Sequence, residues 1–203
     1  MSEPEPIVLV VDDDASFRRA LQRLLLTEAF QVELFASAEE LLQRGPLGGP
    51  GCILLDLQLP RRSGLDLQAE FAARGINTPI VFLTGHGDIG SSVTAMKAGA
   101  VDFLTKPVQK AALMAALQQA FQRDRARRAI DARKQEALLR LRSLTPRETE
   151  VLRLVIRGLL NKQIAAELGA SEATIKVHRG RVMQKMGVPS VAELVRLAEA
   201  AGL

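Results

Sequence analysis

Ile7-Val8-Leu9-Val10-Val11-Asp12-Asp13-Asp14 decides the fold class: five apolar, mostly β-branched residues run straight into three aspartates. An apolar run without polar alternation is the pattern of a strand buried on both faces. Outward from it, further strand candidates lie at 31–35, 52–56, 79–84 and 102–105. Helical spacing fills the gaps. Phe17, Leu21, Leu24 and Leu25 mark one helix, Ile89, Val93 and Met96 another, and Leu113, Ala116, Leu117 and Ala120 a third. Breakers fall where loops are needed: Gly45-Pro46 with Gly48-Gly49-Pro50-Gly51, Ser63-Gly64, and Gly85-His86-Gly87. Strand and helix in alternation predict an α/β, doubly wound, parallel five-stranded sheet with helices on both faces.

Beyond residue 142 the strand pattern vanishes. Thr145-Pro146-Arg147-Glu148 reads as a capping box with Pro at the first helical position. The helix it starts carries Val151, Leu152 and Val155 and stops at Gly158. A second, with Ile164, Ala165 and Leu168, stops at Gly169. Ser171 caps a third that ends at Gly187, and a fourth starts near Ser190. Two short helices around a Gly-Ala-Ser turn have helix-turn-helix geometry. Between the halves, no Pro or Gly stands from 108 to 145. Residues 123–142 hold 8 basic and 3 acidic residues, with sparse apolar positions at Ala126, Ile130, Ala137 and Leu141. The last helix of the first half is therefore expected to run on through this stretch. It reads either as a solvated linker or as a helix that couples domains or protomers. The organisation expected is a first domain over 1–122, a linker helix over 123–142 and a small all-α domain over 143–203.

Composition narrows the function. The chain has 203 residues, 47% hydrophobic and 25% charged, which is an ordinary globular balance. No apolar run approaches the ~18 residues that cross a bilayer, and the acidic, Pro-rich start does not resemble a signal peptide. A cytoplasmic protein without membrane partners is expected. Cys52 is the sole cysteine and His86 and His178 the only histidines, which excludes a disulfide framework and a Cys- or His-based zinc site. With no Trp or Tyr, stacking on single-stranded nucleic acid is a poor fit. The overall +4 hides an asymmetry of −4 over residues 1–122 and +8 over 123–203. The basic half suits nucleic acid or a membrane surface.

In a doubly wound sheet, the loops after the carboxyl ends of the strands make the site. Asp12, Asp13 and Asp56 would meet there, with Thr84 at the end of the fourth strand and Lys106 just past the fifth. Clustered carboxylates repel unless a cation joins them, and hard oxygen ligands suit Mg²⁺. A carboxylate nucleophile, a hydroxyl, a lysine and Mg²⁺ make a phosphoryl-transfer site, where the work is positioning and charge neutralisation. Taken singly, each residue has a plainer role: the aspartates as a helix cap, Lys106-Pro107 as a turn, Thr84 as a strand residue. Their joint placement at successive strand ends is what points to chemistry.

These segments resemble the receiver domain of two-component response regulators. The match is carried by Val10-Val11-Asp12-Asp13-Asp14, Leu54-Leu55-Asp56-Leu57-Gln58-Leu59-Pro60, Phe82-Leu83-Thr84-Gly85-His86-Gly87-Asp88 and Ala98-Gly99-Ala100-Val101-Asp102-Phe103-Leu104-Thr105-Lys106-Pro107. The resemblance implies a flavodoxin-like fold with Asp56 as phosphoacceptor. It implies Mg²⁺ on Asp13, Asp56 and the Gln58 carbonyl, with Asp12 helping through water. Thr84 and Lys106 would contact the phosphoryl group, and Phe103 falls at the family's aromatic switch position. Leu59 stands where many members carry Met.

In the helix after Ser171, Ile175, Val182 and Met186 share one side, while Ala173, Lys176, Val177, Gly180 and Gln184 share the other. An apolar back and a basic, small and amide front suit the major groove. Arg179, Arg181 and Lys185 flank that front and are placed to meet phosphates, and Thr174 completes the candidate contacts. His178 reads as a packed or hydrogen-bonded histidine rather than a base contact. The stretches 144–148, 158–165 and 171–178 resemble a LuxR-type helix-turn-helix, although Gly180 lacks the long polar side chain common there. Receiver plus LuxR-type domain is the organisation of the NarL/FixJ response regulators, with Gly85-His86-Gly87-Asp88 leaning towards FixJ. That resemblance implies a phosphorylation-dependent transcriptional regulator rather than an enzyme. Its implied partners are a sensor histidine kinase, double-stranded promoter DNA, RNA polymerase and a second copy on phosphorylation. Two other readings compete. A phosphatase of the haloacid-dehalogenase kind needs an acid two residues past its nucleophile, where this chain has Gln58. A DNA binder that is not phosphorylated would differ in failing to label with acetyl phosphate.

Overall fold

In the computed structural model, which describes residues 5–45, 49–85 and 89–203, the apolar runs become strands. They are β1 (Ile7–Val11), β2 (Gln31–Phe35), β3 (Gly51–Asp56), β4 (Ile80–Thr84) and β5 (Asp102–Thr105). All pair in parallel in the order β2-β1-β3-β4-β5. Strand β4 starts one residue later than expected. Pro79 has no N–H to give the ladder, and only its carbonyl takes part, accepting from the Ile53 amide at 2.9 Å. The loop readings at Pro46–Gly48 and at His86-Gly87-Asp88, and the side chain of Ile89, lie outside the described residues, as does the start of the chain before Glu5.

The pleat sorts side chains between two cores. Val8, Val10, Cys52, Leu54, Val81 and Leu83 face helices α1 (Ala15–Thr27) and α5 (Lys110–Arg142), where Leu21, Leu25, Leu113, Leu117 and Phe121 close the layer. Leu9, Val11, Ile53, Leu55, Ile80 and Phe82 face the other way. They pack on α2 (Ala38–Arg44), α3 (Gly64–Ala73) and α4 (Ile89–Lys97) through Leu41, Leu67, Phe71 and Ala95. Each such fully buried Leu or Phe contributes about 1.5–3 kcal/mol. Helices α2 and α3 were not among the sequence-based helices, although both carry N-terminal signals. The Ser37 hydroxyl accepts from the Glu40 amide, and Ser63 with Asp66 forms a capping box. On α4 the apolar spacing picked the wrong face. Small Ala95 packs on the sheet, while Val93 and Met96 are 46% and 44% exposed.

The chain divides into two compact units, residues 1–128 and 129–203, and the division falls within α5, which runs unbroken for 33 residues. In the first unit α5 carries a buried carboxylate, Asp124. It accepts from the Gly51 amide at 3.1 Å and pairs with Arg127 and Arg128, each at 2.6 Å. In the second unit Ala137 is buried and Leu141 packs on the helical core, whereas Ile130 and Ala126 are exposed.

The second unit contains α6 (Pro146–Ile156), α7 (Asn161–Leu168), α8 (Glu172–Met186) and α9 (Val191–Ala200). Thr145 and Glu148 form the capping box ahead of α6. Ser171 and Ser190 cap α8 and α9, and Gly169 and Gly187 end α7 and α8 in left-handed conformation at φ 61° and 63°. Val151, Leu152, Ile164, Ile175, Val182, Met186 and Leu194 form its core. Among the described residues, no helix is long and apolar enough to cross a membrane.

Candidate functional site

The carboxyl ends of β1, β3, β4 and β5 bring Asp12, Asp56, Thr84 and Lys106 to one cleft. Asp12 and Thr84 are fully buried, Asp56 nearly so, and Asp13 is exposed. One oxygen from each of Asp12, Asp13 and Asp56 lies within 4.8 Å of the others. The Lys106 ammonium donates to Asp12 at 2.6 Å and to Asp56 at 2.7 Å, across 94 and 50 residues of chain. Burial pushes the Asp12 carboxyl above the ordinary range, against the pull of Lys106 and of the Asp14 amide. Burial also works against the Lys106 ammonium, but its hydrogen bonds to the two carboxylates outweigh this and hold its pKa above the usual lysine value.

The three successive aspartates divide the labour. Asp14 accepts from the Ser16 and Phe17 amides and caps α1, which lowers its pKa. Asp12 and Asp13 are left to the cleft. The loop after β3 is fixed by the Gln58 amide donating to Asp56 at 3.0 Å and the Leu57 amide donating to the Leu83 carbonyl at 2.9 Å. Phe103 is half-buried, with its ring 6.3 Å from that of Phe82.

Sequence reasoning missed three supports of this cleft. The Lys106 ammonium lies 4.4 Å from the centre of the Phe17 ring, a cation–π contact. Arg18 donates to the Asp12 carbonyl. Gly64 begins α3 so close to β3 that a Cβ there would sit 2.5 Å from the Asp56 carbonyl oxygen and 2.9 Å from the Phe82 ring. Ser63-Gly64 carried a signal, but only of a chain break; the need for a missing side chain is set by β3 and β4.

On α8, Ile175, Val182 and Met186 are buried, as the expected apolar back requires. Ala173, Thr174, Lys176, Val177, Gly180, Arg181 and Gln184 are exposed. Val177 keeps 54% of its surface in solvent. Thr174 and Ser171 place their hydroxyls 2.7 Å apart at the cap. Arg179 is half-buried and donates to the Asn161 side chain at 2.9 Å, tying α8 to the start of α7. His178 is packed, with Nδ1 enclosed and no hydrogen-bond partner among the described residues.

Lys185, expected to meet phosphate, also has partners inside its own unit. It donates to buried Glu148 at 2.7 Å and to the Ser143 carbonyl at 3.1 Å. The Lys185 ammonium and then the Thr145 amide hold the Glu148 carboxyl down, to a pKa of about 2. The capping-box acid thus has a second partner 37 residues away, and that partner is the lysine read as a phosphate contact.

This geometry is that of a two-component response regulator, and the comparisons with known proteins agree. Residues 8–118 match the response regulator receiver domain, and residues 142–198 match the bacterial regulatory proteins of the luxR family. The chain belongs to the NarL/FixJ family of response regulators, transcription regulators that join a receiver to a LuxR-type DNA-binding domain. It is 48% identical over 199 residues to nodulation protein W of Bradyrhizobium diazoefficiens, covering 97% of this chain and 87% of that one. It is 40% identical over 201 residues to the transcriptional regulatory protein FixJ of Azorhizobium caulinodans, covering 98% and 95%. Among solved structures, the response regulator StyR superposes with a TM-score of 0.86 at 46% identity, covering 97% of this chain and 99% of that one.

Proposed function

We propose that the chain accepts a phosphoryl group on Asp56 from a sensor histidine kinase and, so modified, dimerises and binds promoter DNA. The observation that carries the reading is the single ammonium of Lys106 bridging the carboxylates of Asp12 and Asp56 at 2.6 and 2.7 Å. A cleft of that composition is poised for phosphoryl transfer, in which positioned charge does the catalytic work. A carboxylate oxygen of Asp56 forms the new bond to phosphorus as the bond from phosphorus to the kinase histidine nitrogen breaks. Lys106 is released from Asp56 to meet the transferred phosphoryl oxygens, and the hydroxyl of Thr84 donates to another. The acidic cluster of Asp12, Asp13 and Asp56 fits Mg²⁺ in donor type and spacing, with the Gln58 carbonyl as a further oxygen. Bound there, Mg²⁺ would neutralise charge on the phosphoryl group and the carboxylates. Withdrawal of Lys106 and Thr84 towards the phosphoryl group frees the end of β4 for Phe103 to repack, the route by which the change leaves the cleft.

The output is read by α8. Lys176 and Val177 stand exposed in its amino-terminal half, where recognition helices meet base edges, with Arg181 placed for phosphate. The reading is that of a cytoplasmic regulator rather than an enzyme, acting on RNA polymerase at promoters. Labelling with acetyl phosphate and Mg²⁺ tests it. Wild type should gain one phosphoryl group by intact mass, and Asp56→Asn should gain none while keeping its circular dichroism. Equal labelling of the variant would remove Asp56 from its role.

A further inference from the structure

The carboxyl end of α8 is completed from another helix. The last four carbonyls of a helix have no partner within it. Gly187, left-handed at φ 63°, turns its amide back to Met183 and Gln184, which leaves the Met186 carbonyl to find a donor elsewhere. That donor is the guanidinium of Arg140, 46 residues earlier on α5. Glu136, one turn back on α5, aims the guanidinium by accepting from its other terminal nitrogen at 2.6 Å. Gly187 makes room for it. A Cβ there would stand 2.6 Å from Arg140 Nη1 and 3.1 Å from Cζ.

The exchange runs both ways. Lys185, in the last turn of α8, donates at 3.1 Å to the Ser143 carbonyl, which closes the end of α5. Each helix thus supplies a cation to the other's carboxyl end, where positive charge is favoured. The apolar part of the contact lies beside it. Ala137 is fully buried, and Leu141 and Leu144 pack on the core that holds Met186. The two turns of α5 before it, residues 129–136, are exposed throughout. The footing of α5 in the second unit is therefore confined to residues 137–144, and its polar contacts fix the carboxyl end of α8. We propose that Arg140 is a positioning residue that locks α8 to α5 as one rigid piece, so that a dimer holds its two α8 helices at a fixed angle. This rests on the reading of α8 as the helix that meets DNA and of phosphorylation as the trigger of dimerisation. A second helix adds affinity through its effective concentration at the site, and a loose joint lowers that gain. Losing Arg140 spares the hold of one unit on DNA and reduces what dimerisation adds.

Fluorescence anisotropy of the full chain on a cognate site, before and after labelling with acetyl phosphate and Mg²⁺, reads both quantities. Labelling should tighten binding by the wild type. Arg140→Gln should label and dimerise like the wild type and keep the unlabelled affinity within about twofold, while about tenfold of the gain on labelling is lost. Gly187→Asn keeps a residue suited to the left-handed turn but sets a Cβ against the guanidinium, and should lose as much. The double variant should be no worse than either single one, since both break one contact. Additive losses, an undiminished gain in Arg140→Gln, or failure of that variant to dimerise would overturn the proposal. So would equal losses before and after labelling, the mark of a weakened fold alone. A wild type whose affinity does not respond to labelling would overturn the underlying reading of phosphorylation, and the proposal with it.

Discussion

The aspartate cleft and the exposed face of α8 are built in opposite ways. The cleft is assembled from four strand ends, and its decisive contacts join Lys106 to Asp12 and Asp56 across 94 and 50 residues. Nothing in it works alone, because removing the one ammonium leaves two carboxylates facing each other. The α8 face is local. A cap at Ser171, a 3.6-residue period that buries Ile175, Val182 and Met186, and a left-handed Gly187 decide what it exposes. In the charge-coupled cleft one lost charge should abolish the response to phosphorylation in a single step, and a periodic surface should fail residue by residue.

The sharpest way to break that contrast is Lys106→Ala. Asp56 remains, so labelling by acetyl phosphate should survive, while the tightening of DNA binding that follows labelling should disappear completely. Gel filtration and DNA titration of the labelled variant check this, and retained phosphorylation-dependent dimerisation would mean that another group carries the signal.

Smaller, graded effects are expected on α8. Lys176→Ala and Val177→Ala should each cost about 1–3 kcal/mol on a cognate site and flatten the preference over random DNA. Arg181→Ala should weaken both DNAs alike and reduce the salt slope by about one. Fluorescence anisotropy across a salt series separates the two classes. Equal losses on cognate and random DNA for the Lys176 and Val177 variants would move sequence reading to another surface.

The smallest effect concerns Lys185 and its ion pair with Glu148. The Glu148 carboxyl is lowered from about 4.5 to about 2 in the folded state. Its contribution is therefore present above about pH 4.5 and is lost as pH falls towards 2, since the unfolded chain then takes up the proton first. Lys185→Met should flatten that acid-side decline and lower stability near neutrality by about 1 kcal/mol. Urea melts at pH 7 and pH 3 measure both. An unchanged pH dependence, with DNA affinity falling instead, would restore Lys185 to phosphate.

The same contrast explains what the sequence made legible. Strands buried on both faces announce themselves as unbroken apolar runs, so β1 was read with its full extent and β3 and β4 to within one residue. The aspartates and Lys106 could be placed because parallel topology puts every strand's carboxyl end on one edge. The caps at Thr145 and Ser171 are local chemistry and were read directly, and the helix start near Ser190 was placed without its cap. What stayed hidden depends on distant partners. Asp124 sits among arginines and looks solvated, but β3 brings the Gly51 amide to it across 73 residues. Lys185 looks like a surface cation until α6 presents Glu148. On α4 the periodicity of Val93 and Met96 was real, yet the sheet had room only for Ala95. The role of Gly64 depends on a contact with the Asp56 carbonyl that no local pattern encodes.

The central claim is that a phosphoryl group on Asp56 governs what the α8 face binds. Footprinting on genomic DNA, with and without acetyl phosphate and Mg²⁺, tests it most directly with wild type and Asp56→Asn side by side. Wild type should protect discrete sites at lower protein concentration once phosphorylated, and Asp56→Asn should show one unchanged, weaker pattern under both conditions. Identical protection by the two proteins, with or without the phosphodonor, would contradict it.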